Sequence, residues 1–345
     1  MPKKGLVTKY YIIPVVLVCV IVAVLALLTL GNKPDSVEVI AGESSGDSFI
    51  SKNQSANEED SIGSDTDSSH SELSEPDISE QELSEPQEEP VVYTFEYVGD
   101  LSGVSEEALK NLEEVLQSQE NSVSIYYENL ETGLSLTYRA NEIYHSASVV
   151  KAPYVKYILS LPDIDLEEEI TSSTSVHGYR TGTKFTVREL IYYTIVFSDN
   201  NSYHELVYRF GADGFNQMSG LLGASCKISE SYHFCNMTVS ESAVFFKDIY
   251  EAEITNENMG VLTENMKNCD YNRQIGMALG DLYPVAHKYG ANPISKRIAF
   301  HSSAIVYAPS PYILCIFTDL YPKESSTPIF RDIATAIDEI NKQLY

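Results

Sequence analysis

A run of 21 residues without a charge, Tyr10 to Leu30, mostly Val, Leu, Ile and Ala, constrains this chain more than any other feature. As a helix rising 1.5 Å per residue it spans about 31 Å, close to the hydrocarbon thickness of a bilayer. Pro14 falls in its first turn, where a missing amide costs little. Lys3, Lys4 and Lys9 precede the run and Lys33 alone follows it, so the positive-inside tendency keeps residues 1–9 in the cytoplasm and puts everything after Leu30 outside. The alternative is a cleaved signal peptide, whose apolar region is shorter and ends in small residues. Leu28-Thr29-Leu30 is a poor cleavage site, and Cys19 lies mid-run without the small residue before it that a lipid-attachment signal wants. The expectation is an uncleaved single-pass anchor at residues 10–30, in the cell membrane, with the remainder extracellular.

Charge divides the rest. The 345 residues carry a net charge of −27, which argues against a nucleic-acid partner, because clustered Lys and Arg hold phosphates. Residues 34–92 hold 17 acids and one Lys among Ser, Asn and Pro, too few apolar groups to offset chain entropy. Glu72-Leu73-Ser74-Glu75-Pro76 recurs as Glu82-Leu83-Ser84-Glu85-Pro86, a low-complexity repeat. Residues 31–92 are therefore expected to be a disordered acidic linker, about 40 Å end to end and longer under self-repulsion.

From about Tyr93 the apolar content rises, and 93–345 reads as one folded domain of the α+β class. Ser105 before Glu106-Glu107 caps a helix to about Gln117. Ser122–Leu130 and Leu134–Arg139 read as strands joined by the turn Glu131-Thr132-Gly133. Helices are expected from Ser148 to about Leu161, after the capping box Thr186-Val187-Arg188-Glu189, over Asn201–Phe210 ending at Gly211, over Thr238–Tyr250, and in parts of 256–279. Strand-like runs follow near Val285–Tyr289, Ser302–Tyr307 and Tyr312–Asp319. Ile329, Ile333, Ile337, Ile340 and Leu344 keep helical spacing at the end.

Three short motifs carry chemistry. In Ser148-Val149-Val150-Lys151, the only Ser-x-x-Lys here, positions i and i+3 at a helix start share a face about 5–6 Å apart, which brings the amine within hydrogen-bond reach of the hydroxyl. A neutral amine can take a serine's proton. Lowering a lysine from 10.4 to about 7 needs roughly 4–5 kcal/mol, supplied by burial, the helix end and a second cation. Ser198-Asp199-Asn200 is an ordinary cap sequence on its own. Functionally it offers Ser198 as a proton relay and Asn200 as a donor to a substrate carbonyl and to Lys151, with Asp199 bracing the loop. Lys288-Tyr289-Gly290 runs on into Ala291; Lys288 is placed to bind a carboxylate and depress the pKa of Lys151, and Gly290 to admit a ligand close to the backbone.

Taken in this order, the motifs resemble the class A β-lactamase and penicillin-binding serine hydrolase superfamily, whose set is Ser-x-x-Lys, Ser-Asp-Asn and Lys-Thr-Gly. Leu130-Glu131-Thr132-Gly133, Ser146 to Pro153, Ser198-Asp199-Asn200 to Gly211, His287-Lys288-Tyr289-Gly290, and Ile305-Val306-Tyr307 to Leu314 carry the resemblance, which covers about residues 103–343. It implies a five-stranded antiparallel sheet sandwiched by helices. It further implies Ser148 as the acylated nucleophile, Lys151 as base, Ser198 as proton shuttle, Lys288 as a fourth catalytic residue, and substrate contacts from Asn200, Tyr289, Gly290 and Ala291. The amides of Ser148 and Ala291 would form the oxyanion hole. No cofactor or metal is implied. The substrate would be a β-lactam or a D-alanyl peptide of the cell wall.

Two departures bear on activity. Tyr289 stands where the family has Thr. The stretch Leu222–Met237 has Glu230 as its only acid, at a spacing unlike that of the family's deacylating glutamate, so Glu230 reads as a surface residue. A domain that binds penicillin or muropeptide without turnover is therefore the alternative function. No zinc-hydrolase motif or phosphate loop is present. Cys315 reads as buried, and Cys226 and Cys235 are near enough in sequence to pair, in a compartment that permits disulfides.

Overall fold

A computed structural model describes residues 95–119 and 122–345. The segments expected to be cytoplasmic (1–9), a membrane anchor (10–30) and a linker (31–92) lie outside the described residues, among which no helix is long and apolar enough to cross a membrane. The described residues form ten strands: β1 (Glu96–Val98), β2 (Val123–Asn129), β3 (Ser135–Tyr138), β4 (Tyr144–His145), β5 (Glu169–Thr171), β6 (Lys184–Thr186), β7 (Asn236–Met237), β8 (Val285–Asn292), β9 (Ala299–Val306) and β10 (Tyr312–Thr318). The main sheet is antiparallel in the order β1-β3-β2-β10-β9-β8, while β4 pairs with β7 and β5 with β6.

The sheet thus has six strands, not the five expected. The extra one is β1, three exposed residues added to the edge through Glu96 opposite Thr137 and Val98 opposite Ser135. So short an exposed strand has no buried face, and hence no alternation to read. The β2–β3 turn closes as its sequence suggests: Asn129 Oδ1 accepts from the amides of Glu131 (3.0 Å) and Thr132 (2.8 Å), and Gly133 takes φ +72°.

The helices are α1 (Glu106–Gln117), α2 (Lys151–Leu159), α3 (Val187–Val196), α4 (Asn200–Phe210), α5 (Asp213–Leu221), α6 (Val239–Thr255), α7 (Met259–Lys267), α8 (Ile275–Leu279) and α9 (Pro328–Asn341). Ser105 caps α1, and capping boxes Thr186/Glu189 and Thr238/Glu241 start α3 and α6, each satisfying amides that a helix leaves unpaired. The strands alternate their faces. Tyr312, Leu314 and Ile316 pack with Leu112 and Leu116 of α1 and with Ile333 and Ile337 of α9. Ile313, Cys315 and Phe317 pack on the other side with Val155, Ile191 and Phe246 from α2, α3 and α6. Burial of both faces explains why β10 is an unbroken apolar run. Strand β8 is left at the edge of the sheet, beside the turn that carries Ser148.

Candidate active site

The sequence expected one helix from Ser148. The structure instead makes a 3₁₀ turn, Ala147–Val150, ahead of α2, which begins at Lys151. Ala147 enters this turn at φ +44°, a region that residues with a Cβ avoid. The strained entry is held from several sides. Ala147 N–H donates to His145 Nδ1 (3.1 Å), Ser146 N–H to Cys235 O (2.9 Å), and Cys235 N–H to Ser146 Oγ (3.2 Å). Ser148 stands half-buried on the turn, opening into a cleft of about 310 Å³ that Asn200 and Ala291 also line.

Lys151 and Lys288 are both fully buried, and both reach Ser198. Lys151 Nζ donates to Ser198 O (2.6 Å) and Asn200 Oδ1 (2.7 Å), with longer contacts of 3.4 Å to Ser198 Oγ and Asp199 O. Lys288 Nζ donates to Ser198 Oγ (2.9 Å) and Tyr289 O (3.1 Å) and lies 4.1 Å from the Tyr289 ring centroid. Burial, and then the neighbouring charge of Lys288, hold the Lys151 amine well below the usual lysine range, with Asp199 opposing. Burial pushes Lys288 down to about 8, against a smaller opposing pull from Cys269. Contrary to expectation, Ser148 Oγ forms no hydrogen bond with Lys151 among the described residues, because the amine is turned toward the acceptors of the 198–200 segment, two of them within 2.7 Å.

That segment is bent by Ser198, at φ +54°, between α3 and α4. Asp199 Oδ1 accepts from Ser202 N–H (2.6 Å) and caps α4, so the acid braces the loop while Ser198 and Asn200 face the lysines.

On β8 the expectations divide. Ala291 lines the cleft. Gly290 does not line the cleft but packs against its neighbour: a Cβ there would lie 3.1 Å from Ala147 Cβ, Ser146 O and Ser148 N. The missing side chain makes room for the serine-bearing turn itself. Tyr289 does not line the cleft either; its ring packs on Tyr271 with centroids 4.5 Å apart. Burial pushes its hydroxyl up to about 12, an effect that a hydrogen bond with Ser198 opposes.

Glu230 is exposed and does not line the cleft. Cys226 and Cys235, left open by the sequence, form a disulfide with Cα atoms 5.6 Å apart, and Cys315 is buried as a free thiol. Among the described residues no group of His, Cys, Asp and Glu is placed to hold a metal ion. Sequence reasoning missed His145, Tyr232, Phe234, Asn292 and Arg297, all of which line the cleft. Nothing in their spacing announces them, since they come from two loops, a two-residue strand and the end of β8, which only the fold brings together.

The chain belongs to the beta-lactamase enzyme family, which it matches over residues 106–340. Solved structures share the fold at low identity. The penicillin-G acyl-enzyme complex of a PBP-A mutant is 18% identical, with a TM-score of 0.60, over 69% of this chain and 97% of that one. The TLA-3 extended-spectrum beta-lactamase is 18% identical at TM-score 0.60, over 67% and 97%. A beta-lactamase from Chitinophaga pinensis is 20% identical at TM-score 0.60, over 67% and 98%. No curated protein matches the chain by sequence.

Proposed function

We propose that this domain is an acyl-serine hydrolase of the cell exterior, tethered by the N-terminal span, that opens a β-lactam or a D-alanyl amide of the cell wall. The observation that carries the reading is the sharing of Ser198 by two fully buried lysines behind an accessible serine. A lysine amine that is neutral keeps two hydrogens and one lone pair. Ser198 O and Asn200 Oδ1 take the two hydrogens, and the lone pair is left for the proton of Ser148 as its oxygen attacks the carbonyl carbon. The amides of Ser148 and Ala291 receive the developing oxyanion, where one donor is worth about 3–4 kcal/mol. Ser198, hydrogen-bonded to Lys288, passes its proton to the leaving nitrogen as the C–N bond breaks and regains one from the Lys151 ammonium 3.4 Å away, which returns that amine to its neutral form.

Hydrolysis of the acyl-serine is the weaker half. Among the described residues no carboxylate lines the cleft to activate water, and Glu230 is exposed. This favours a second reading, in which the domain holds a wall fragment or penicillin as a long-lived adduct rather than turning it over.

The test is labelling of the full-length chain, in mild detergent, with a fluorescent penicillin. Mass spectrometry should find the adduct on Ser148, and Ser148→Ala should abolish it; an unlabelled wild-type protein overturns the β-lactam reading. Steady multiple turnover of a chromogenic cephalosporin removes the second reading, whereas a burst that stalls supports it.

A further inference from the structure

In a chain of net charge −27, the only charged side chain among the described residues that lines the cleft is a cation, Arg297, on the loop between β8 and β9. It forms no ion pair with any described residue. Its guanidinium is nevertheless held in place. Nη1 donates to the Tyr232 hydroxyl (2.7 Å), and the guanidinium carbon lies 5.1 Å from that ring's centroid. The loop is itself ordered by Arg297 N–H to Ile294 O (2.7 Å) and Ile294 N–H to Asn292 Oδ1 (3.0 Å).

Tyr232 is fixed in turn. It sits in a tight turn, where Ser229 N–H donates to Tyr232 O (2.9 Å) and Tyr232 N–H to Ser229 Oγ (3.0 Å), and the Cys226–Cys235 disulfide closes the segment. Its hydroxyl also meets His145 Nε2 at 2.8 Å. Because Ala147 N–H donates to Nδ1 of that ring, the network assigns the ring hydrogen to Nε2, which donates to the phenol. The phenol oxygen then accepts twice, from Arg297 and from His145, and its own hydrogen is left to be donated. Burial, followed by the charge of Arg297, lowers the His145 pKa and so favours the neutral ring.

We infer that Arg297 and Tyr232 form an anion-recognising corner that takes a carboxylate on the acyl part of the substrate. The inference rests on the proposed acyl-serine chemistry for its orientation. Ser198 and Lys288, which serve the leaving nitrogen, do not line the cleft, whereas Ser148 and Ala291 do. A group in the cleft therefore remains attached to Ser148 after the amide opens. A planar guanidinium held in advance loses little freedom on pairing with a carboxylate, which is why such a site favours an anion over its neutral analogue.

The experiment uses Ser148→Ala full-length chain, which binds without acylation, and two probes that differ by one acyl-side carboxylate, benzylpenicillin and carboxybenzylpenicillin. Titration calorimetry at low salt should show the carboxylated probe bound about five- to tenfold more tightly. Adding Arg297→Gln should erase that preference, and Arg297→Lys should keep part of it, with circular dichroism checking that each variant is folded. Equal affinities, a preference unchanged by Arg297→Gln, or no binding of either probe each overturn the corner. Labelling of Ser148 in the native chain is read separately, so either result can fail without the other.

Discussion

The two sides of the candidate site are built from different material. On one side, Lys151 and Lys288 are fully buried, carried by α2 and β8, and bound to a capped loop through short hydrogen bonds. On the other, Arg297 and Tyr232 are exposed and stand on connecting segments, held by a disulfide, a turn and each other. Proton transfer tolerates little displacement and needs a dry setting, so its two lysines sit on regular elements in the core. Recognition tolerates change, so it occupies loops.

The largest effect that tests this contrast is expected at Lys288. Lys288→Met should cut the rate of Ser148 acylation by about a hundredfold or more. The acid limb of the pH–rate profile should also move to higher pH, because removing a neighbouring cation lets the Lys151 amine hold its proton more strongly. Stability should change in the opposite sense. The native chain holds Lys288 at about 8, while an unfolded lysine titrates near 10.4, so the unfolded state binds more protons between those values. Native stability therefore rises with pH across that window, and below it the full penalty, roughly 3 kcal/mol, is present. Thermal melts should find Lys288→Met more stable than the native chain at neutral pH, with the gap closing toward about pH 10. A variant that is less stable at neutral pH would show that the buried charge supports the fold.

A smaller effect is expected where the two sides meet. Gly290→Ala sets a methyl against Ser146 O and Ser148 N, both at 3.1 Å. It should cost about 1–3 kcal/mol of stability and slow acylation at least about tenfold. Wild-type behaviour on both counts would mean that the turn yields freely. The smallest effect is expected at Glu230: Glu230→Gln should leave the deacylation rate within about twofold, measured by decay of the labelled adduct, because the side chain is exposed and does not line the cleft. A collapse of deacylation would make Glu230 the water-activating base after all.

Local signals carried much of the fold. The capping box at Thr186, the Ser105 cap and the apolar run of β10 each record a constraint acting within a few residues, and each marks its element to within a few positions. The edge strand β1 left no such mark. Within the site, the Ser148, Ser198 and Lys288 motifs were legible because their chemistry requires particular residue types at short spacing. The direction of the Lys151 amine was not, since it depends on acceptors 47 and 49 residues away. The use of Gly290 was hidden for a similar reason: its neighbours are the backbone of residues 146–148, and a glycine reads alike whether a ligand or the chain itself fills the space. Arg297, Tyr232 and His145 meet only through tertiary structure.

The contact at Gly290 also limits how such a protein can diversify. With strand and turn already touching, the distance between Ser148 and β8 cannot be retuned by swapping side chains there. New substrate range must come from the 229–235 hairpin and the 293–298 loop, whose side chains line the mouth of the cleft, and directed libraries confined to those two stretches should yield altered preferences while sparing the acid–base machinery behind them.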